Sequence, residues 1–292
     1  MEIKYIPGLS LTVSQRGYIG RILERFKMDK CKPMPTPQAK GNLPLPGDPD
    51  REVVCVNSSP DMDYQCIVGS LQYLVSCSRP DIANAVRTLG KFLTCFTKEH
   101  EVMAKRVLRY LQGTRDYGLV WMKPIPRGIR LVAYADADLG NEKDDRKSIT
   151  GYVLQLNGCT FAYKSKKQSI MTDDTCSAEF VAASECSTMI MWTHNLCKEL
   201  KLRRTEQTVL YEDNQATIKV MEEVSSGYKV RSVDLKFHKV RDFVERKVFR
   251  VEYCPTGPQQ FRKLRQALNV VPVPTQESLH EASDVETVDE TM

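Results

Sequence analysis

The chain has 292 residues, which is enough for two modest domains that each bury a core. Lys and Arg outnumber Asp and Glu by 42 to 37, giving a net charge of +5, and no apolar stretch approaches membrane-spanning length. Because Met1 is not followed by a signal-peptide pattern, we expect an intracellular protein, cytoplasmic or nuclear, with no membrane partner. The ten cysteines are scattered without a CxxC pair, so neither a zinc site nor a disulfide framework is expected.

The positive charge is concentrated in the body of the chain. Residues 270–292 hold six acids and no Lys or Arg, so residues 1–269 carry a net charge of +11. A basic body suits a polyanionic partner such as nucleic acid, although most Lys and Arg side chains in any protein simply face water. The acidic end lacks aromatic residues, and we predict that residues 269–292 form a disordered tail.

Three amphipathic helices are predicted in the first 121 residues. Ser14 is placed to cap the first, and Pro80 opens the second. The third carries an apolar face over Met103–Leu111. Between the first two helices, residues 32–62 hold seven of the fifteen prolines, which predicts a linker.

Beyond the first 121 residues the pattern changes to alternating strands and helices. Asn157-Gly158 is a strong hairpin signal between two strands of an antiparallel meander. A long helix carries an apolar stripe that includes Ala178, Trp192 and Leu196, and we expect this stripe to pack on the sheet. In chain order the predicted elements are strands Leu131–Ala135, Gly151–Leu156 and Thr160–Tyr163, helix Thr175–Leu200, strand Thr208–Tyr211, helix Val233–Lys247 and strand Val248–Tyr253.

Three acids stand at the ends of these elements. Asp136 and Asp213 each follow a predicted strand, and Glu179 lies near the start of the long helix. A lone Asp at a strand end is commonly only a cap or turn residue. Three carboxylates brought together, however, repel one another and need cations, and oxygen ligands alone favour Mg²⁺ or Mn²⁺. Paired metals held in this way drive phosphodiester hydrolysis.

Motifs around these acids carry a family resemblance. Four motifs of this chain resemble, in the same order, motifs in the ribonuclease H domain of copia-type retrotransposon Pol polyproteins. In this chain they are Arg146–Tyr152, Lys166–Gln168, Ala178–Phe180 and Asp213–Ala216. Upstream, the chain resembles the thumb and connection that follow the polymerase palm of reverse transcriptase. That match rests on Ser14–Phe26, Pro35–Pro37, Val68–Leu74, Ser78–Ala83 and Arg106–Thr114.

The resemblance implies an α/β fold class. It consists of a ribonuclease H-like mixed five-stranded sheet flanked by helices, preceded by a mainly helical remnant of the reverse transcriptase thumb and connection. The implied domains are residues 1–121, with the linker at 32–62, then residues 128–268 and the tail 269–292. No Tyr-x-Asp-Asp sequence occurs. We therefore expect polymerase activity to be absent, with other Pol domains as candidate partners in trans.

The same resemblance implies hydrolysis of the RNA strand of RNA–DNA hybrids by two-metal catalysis. Asp136, Glu179 and Asp213 are then catalytic and hold Mg²⁺ (or Mn²⁺). The RNA strand would be selected through its 2′-hydroxyls in the wide minor groove. The candidates for contacts with nucleic acid, for which turn, cap or solvent-facing roles remain open, are Ser148, Lys164, Lys166, Lys167, Asn214 and Gln215.

One departure from the family bears on activity. Copia-type domains carry a fourth metal-site acid after a Pro-Thr turn, and Arg262 stands at that position here. A cation there would oppose metal binding, so the alternative function is that of a catalytically impaired relic that only binds nucleic acid. A further alternative is an unrelated acidic site on a kinase-like fold. That fold would need a glycine-rich phosphate loop, and Asp138–Asn141 does not provide one.

Overall fold

The protein is described from a computed structural model that covers residues 1–39, 63–122, 128–140, 146–222, 234–255 and 265–274. Two sheets organise these residues. The first belongs largely to the N-terminal 122 residues, and the second is built from residues 131–253. Across the ranges described, no helix is both long and apolar enough to cross a membrane.

The N-terminal unit combines helices with an antiparallel sheet of order β1-β2-β3-β9, in which β9 is Val270–Pro272. Its helices enclose one apolar cluster, in which Leu23, Leu71, Leu89 and Leu108 are fully buried. The unit is mainly helical, as predicted. Its elements are β1 Glu2–Ile6, β2 Ser10–Ser14, α1 Arg16–Arg25, α2 Tyr64–Cys77, a 3₁₀ turn at Pro80–Ile82, α3 Ala83–Gly90, α4 Lys98–Gly113 and β3 Tyr117–Met122.

The predicted helix starts in this unit were only partly right. Pro80 opens the 3₁₀ turn that leads directly into α3, as expected. Ser14 does not cap α1, because it is the last residue of β2, and Gln15 takes the N-cap position without a side-chain hydrogen bond. The hairpin of β1 and β2 was not predicted, and its second strand runs almost directly into the helix.

Part of the proline-rich segment packs against α4. Arg106 donates from Nη2 to the Thr36 hydroxyl at 2.8 Å, and Arg109 donates from Nε to the Lys32 carbonyl at 2.7 Å. Residues 32–39 therefore belong to the N-terminal unit. The remainder of the predicted linker, residues 40–62, lies outside the described residues.

A buried ion pair joins α4 to the turn before α3. Arg79 donates from Nε and Nη2 to the two carboxylate oxygens of Asp81 at 2.9 and 2.8 Å. The Tyr110 hydroxyl donates to the same carboxylate at 2.6 Å. Arg79 also donates to the Thr114 carbonyl at 3.0 Å and hydroxyl at 2.7 Å. Both charged side chains are 0% exposed, so each depends on the other for its charge balance.

The second sheet has the order β6-β5-β4-β7-β8. Its first three strands in sequence form the predicted antiparallel meander, β7 runs parallel to β4, and β8 runs parallel to β7. Asn157 and Gly158 take φ values of 49° and 82° in the predicted hairpin turn. This mixed five-stranded sheet with flanking helices confirms the ribonuclease H-like fold class. Its elements are β4 Leu131–Asp138, β5 Ile149–Leu156, β6 Cys159–Lys167, α5 Thr175–Glu199, β7 Thr208–Glu212, α6 Gln215–Glu222, α7 Asp234–Glu245 and β8 Phe249–Tyr253.

Helix α5 buries only the first part of its predicted apolar stripe. Ala178 and Ala182 are fully buried, whereas Trp192 is 55% exposed and Leu196 is 37% exposed. The expectation that the stripe packs on the sheet is therefore wrong for these last two residues. At the same level of α5, Ile190, Thr193 and Cys197 are buried, so the helix packs through the face beside Trp192 and Leu196.

After β8 the chain returns to the N-terminal sheet. Strand β9 (Val270–Pro272) pairs with β3, and its Val270 lies buried opposite Leu119. The predicted disorder from residue 269 onward is therefore wrong for β9, because a short apolar run precedes the acidic composition. The N-terminal unit thus takes a strand from beyond its predicted boundary. Residues 275–292, which contain the six acids, lie outside the described residues.

The two units are joined by further contacts. The Tyr163 hydroxyl of β6 donates to the Val75 carbonyl of α2. Cys159 Sγ contacts the Val120 carbonyl of β3 at 3.1 Å. These contacts place the outer strand of the ribonuclease H-like sheet against the N-terminal unit.

One cysteine departs from the expected free state. Cys95 is disulfide-bonded. The other cysteines in the described ranges are free. Scattered spacing did not reveal this pairing, because a disulfide depends on proximity in the fold rather than in sequence.

Candidate metal centre

Three carboxylates meet at one edge of the five-stranded sheet. Asp136 lies near the end of β4, Glu179 in the second turn of α5, and Asp213 directly after β7. One oxygen from each lies within 4.8 Å of the other two. The structure therefore brings together the three acids that the sequence singled out, although 43 and then 34 residues separate them along the chain.

Strand register explains why the two aspartates are neighbours. Strands β4 and β7 are parallel, with Tyr134 directly opposite Tyr211. The two tyrosine rings stack with their centroids 5.1 Å apart. Asp136 lies two residues beyond Tyr134 on β4, and Asp213 lies two residues beyond Tyr211, directly after the end of β7. The parallel pairing therefore brings both aspartates to the same edge of the sheet.

The start of α5 brings Glu179 to the aspartates. Asp174 caps this helix with its side chain. Gln168 is buried and donates from Nε2 to the Ala178 carbonyl at 3.0 Å and to the Thr150 hydroxyl at 3.1 Å. This amide ties β5 to the first turn of α5 and so fixes the position of Glu179. The motif containing Gln168 was noted in the sequence, but this positioning role was not.

Burial and like charge both act on the three-carboxylate group. Glu179 is 3% exposed. Burial first, and then neighbouring carboxylates with Glu212 foremost, raise the pKa of Glu179 to about 9. Asp136 is exposed over part of its surface, yet partial burial and then Asp213 raise the pKa of its carboxyl as well. Without a cation, the protein therefore keeps Glu179 protonated at neutral pH.

A fourth acid, Glu212, lies in the same neighbourhood, and the sequence analysis missed it. Glu212 is 1% exposed, and burial raises its pKa to about 8. Its Oε1 accepts a hydrogen bond from the Asn214 amide at 3.2 Å. Its Oε2 has no hydrogen-bond partner within the described part of the chain. Strand alternation could have predicted that Glu212 is buried, because Thr208, Leu210 and Glu212 share the buried face of β7.

The chemistry of the three carboxylates fits a divalent cation. Glu179 Oε2 is buried and, among the residues described, has no hydrogen-bond partner. A buried carboxylate oxygen without compensation is costly, and a cation would relieve both that cost and the mutual repulsion. A donor set made only of carboxylate oxygens suits Mg²⁺ or Mn²⁺. We therefore describe Asp136, Glu179 and Asp213 as a candidate metal centre.

Comparison with known proteins identifies the family. Over 243 residues the chain is 35% identical to the retrovirus-related Pol polyprotein from transposon TNT 1-94 of Nicotiana tabacum, a match that covers 80% of this chain and 17% of the relative. Over 260 residues it is 33% identical to the Pol polyprotein from transposon RE1 of Arabidopsis thaliana, covering 89% of this chain and 17% of that relative. The chain belongs to the copia-type Pol polyproteins.

This Pol-family chain spans about a sixth of the length of those two relatives, at 17% of each. No family model matches it. Among solved structures, ribonuclease H1 LC11, isolated from compost by a metagenomic approach, is 15% identical and superposes with a TM-score of 0.34, covering 52% of this chain and 97% of that one. The fold class of the Pol-family chain is assigned from its strand order and not from this superposition.

Ser148 is one of the residues that the sequence analysis assigned to nucleic acid contact. It is fully buried, and its hydroxyl hydrogen-bonds with the Thr172 hydroxyl at 2.9 Å. It also accepts from the Gly140 amide at 3.3 Å. Because a buried hydroxyl cannot reach a 2′-hydroxyl on a bound strand, the structure contradicts direct contact by Ser148. The residue instead fastens the chain just after β4.

The other five candidates differ in their accessibility. Asn214 Oδ1 accepts hydrogen bonds from two backbone amides at the start of α6. Asn214 therefore has the cap role that was the alternative to nucleic acid contact. Gln215, Lys166 and Lys167 are exposed, and Lys164 is half-buried in an ion pair with α5. Their contacts with nucleic acid remain predictions.

Arg262, the predicted replacement for the fourth metal-site acid, lies outside the described residues. Its predicted position beside the metals therefore remains a prediction. Within the described ranges, the buried carboxyl next to the metal centre is that of Glu212. It comes from β7 rather than from the segment after β8.

We expect the metal-free protein to lose stability as the pH rises. Glu179 and Glu212 have folded-state pKa values of about 9 and about 8, above the ordinary glutamate value of 4.5. Their protonated forms favour the folded state fully below pH 4.5, and this stabilisation is lost as the pH rises through about 8 to 9. Each proton kept only in the folded state contributes a slope of about 1.4 kcal/mol per pH unit.

Urea unfolding in EDTA, repeated between about pH 5 and pH 9, measures this slope. Glu212→Gln should flatten the slope, because the amide cannot titrate. Glu199→Gln makes the same change on an exposed residue at the end of α5 and serves as the matched control. Equal slopes in wild type and Glu212→Gln would show that Glu212 is not protonated in the fold.

Proposed function

We propose that this chain hydrolyses the RNA strand of RNA–DNA hybrids through a two-metal centre held by Asp136, Glu179 and Asp213. The observation that carries the proposal is the convergence of the three carboxylates within 4.8 Å of one another, with one oxygen of Glu179 buried and unpaired in the described ranges. Membership of the Pol family and the ribonuclease H-like strand order support the same reaction class.

The three carboxylates have different settings, which suggests different parts in binding. Asp136 is the most exposed of the three and would hold the ions from the side open to solvent. Glu179, buried beneath it, and Asp213, after β7, would complete the ligand set. Bound Mg²⁺ or Mn²⁺ would supply the Lewis acidity that lowers the pKa of an attacking water and stabilises the leaving 3′ oxygen.

The protein's own contribution is preorganisation. The separation of Asp136 and Asp213 is set by backbone pairing between β4 and β7, and the position of Glu179 is set by α5 and the buried Gln168 amide. Ligands carried on paired strands and a helix hold their geometry better than ligands on loops. The site therefore needs little rearrangement to accept cations and a phosphate.

The substrate in this proposal is an RNA–DNA hybrid. Gln215 is exposed two residues after Asp213 and has amide donors suited to a 2′-hydroxyl in the minor groove. Lys166 and Lys167 are exposed on β6 and would contact phosphates without sequence preference. No Tyr-x-Asp-Asp sequence occurs among these 292 residues, and the proposed reaction does not include DNA synthesis.

Cleavage of a hybrid with one labelled strand tests this function. With Mg²⁺ or Mn²⁺ present we expect the labelled RNA strand to be cut, and we expect no cutting in EDTA. The same hybrid labelled on its DNA strand is the matched control and should remain intact. Intact RNA under all metal conditions would overturn the proposal, and retained hybrid binding would then favour the impaired relic that carries Arg262.

A further inference from the structure

A second charged cluster lies along α5, beyond the metal centre. Lys164 of β6 forms an ion pair with Glu185 of α5 at 2.8 Å between Nζ and Oε2. Lys236 and Lys239 of α7 also interact electrostatically with the Glu185 carboxylate. Three lysines thus share one carboxylate as an electrostatic neighbour, and the four side chains carry an excess of two positive charges.

The lysines of α7 are positioned by contacts with α5. Lys239 Nζ donates to the Ser184 carbonyl at 3.3 Å and to the Thr188 hydroxyl at 2.5 Å. Partial burial lowers the pKa of Lys236 and of Lys239, and repulsion from Lys236 adds to the effect on Lys239. Partly buried like charges are unfavourable, and an additional anion would relieve them.

The cluster lies close to the candidate metal centre along α5, because Glu185 follows Glu179 by six residues, or about 9 Å of helix axis. Lys166 lies on the same face of β6 as Lys164, and the strand registers place it across β5 from Ala137, the residue after Asp136 on β4. Lysines therefore continue along β6 from the cluster to the level of the strand end that carries Asp136.

We propose that Lys164, Lys236 and Lys239 form a phosphate clamp that holds the backbone of a nucleic acid strand leading into the metal centre. This inference rests on the proposed function, because it takes the same RNA–DNA hybrid as its ligand. Lysine binds phosphate as a point charge and reads no sequence. Glu185 holds Lys164 when nucleic acid is absent, and the phosphates supply the missing negative charge when it is bound.

Binding of a fluorescein-labelled RNA–DNA hybrid, measured by anisotropy in EDTA, tests the clamp without cleavage. The salt concentration is varied between about 50 and 200 mM. For the double variant Lys236→Gln/Lys239→Gln we expect weaker binding. The plot of log affinity against log salt should become shallower by about 2, or about 1 for each lost phosphate contact.

Two further variants separate the clamp from general effects of charge. The control variant Lys198→Gln/Lys201→Gln makes the same charge change at the C-terminal end of α5, about 20 Å along the helix axis from Glu185. It should leave the salt slope close to that of wild type. Glu185→Gln removes the carboxylate from the cluster and should tighten binding. If Glu185 were needed only to hold a structural lysine, its loss would not increase affinity.

The outcomes distinguish this inference from the proposed function. An unchanged salt slope in Lys236→Gln/Lys239→Gln, or an equal loss in the control pair, would overturn the clamp even if the wild type cleaves hybrids. A shallower slope confined to the clamp variant would support it even if no cleavage is found.

Discussion

Replacing Asp136 by Asn should lower metal-dependent cleavage of an RNA–DNA hybrid by at least about 100-fold. Loss of residues that merely orient metal ligands commonly costs 10- to 100-fold, so loss of a metal ligand itself should cost more. The change keeps the shape of the side chain but removes its charge. It should also stabilise the metal-free protein, because a partly buried carboxylate that is repelled by Asp213 is gone.

Asp138→Asn is the matched control for this experiment. Asp138 lies two residues further along β4, on the same face, and is outside the three-carboxylate group. We expect this variant to retain cleavage within about tenfold of wild type, since it changes the local charge without removing a ligand. Cleavage that survives in Asp136→Asn, or that falls equally in both variants, would contradict the assignment of Asp136.

Arg79→Met should destabilise the protein by about 3–5 kcal/mol. The substitution leaves the Asp81 carboxylate buried without its cation, and Asp81 also accepts the Tyr110 hydroxyl. Water cannot compensate, because both side chains of the pair are 0% exposed. The loss in unfolding free energy is measured by urea denaturation and should appear without any change in the metal centre.

The double variant Arg79→Met/Asp81→Leu tests the cause of this loss. If the cost comes from the stranded carboxylate, removing Asp81 as well should recover part of the stability. Arg16→Met breaks an exposed ion pair with Asp116, whose side chains are 64% and 59% exposed, and should cost less than about 1 kcal/mol. Equal losses in Arg79→Met and Arg16→Met would contradict the importance of burial.

Local signals predicted much of the ribonuclease H-like sheet. The Asn157-Gly158 turn and the alternation of its flanking strands fix a hairpin within a few residues. Strand ends and the start of α5 also singled out three acids whose carboxylate oxygens lie within 4.8 Å of one another in the structure. The parallel register that sets Tyr134 opposite Tyr211 could not be read from local patterns, because strands so far apart in sequence carry no local record of their pairing.

The failures share a dependence on distant partners. Strand β9 forms because Val270 meets Leu119 across the sheet, a contact that the composition of the tail could not reveal. Trp192 is exposed because α5 packs through the neighbouring face that carries Ile190, Thr193 and Cys197, although its own spacing fits a buried stripe. Ser148 has the chemistry of an RNA contact but is enclosed in the fold. In each case periodicity or residue type gave a preference, and tertiary geometry decided the outcome.

Titration of the metal-free protein with Mn²⁺, followed by the electron paramagnetic resonance signal of free Mn²⁺, tests the central claim most directly. The claim is that Asp136, Glu179 and Asp213 form a divalent cation site, and the measurement does not depend on turnover. We expect the wild type to bind two Mn²⁺ ions and Asp136→Asn to lose this binding, while Asp138→Asn retains it. Absence of binding in the wild type, or unchanged binding in Asp136→Asn, would contradict the account.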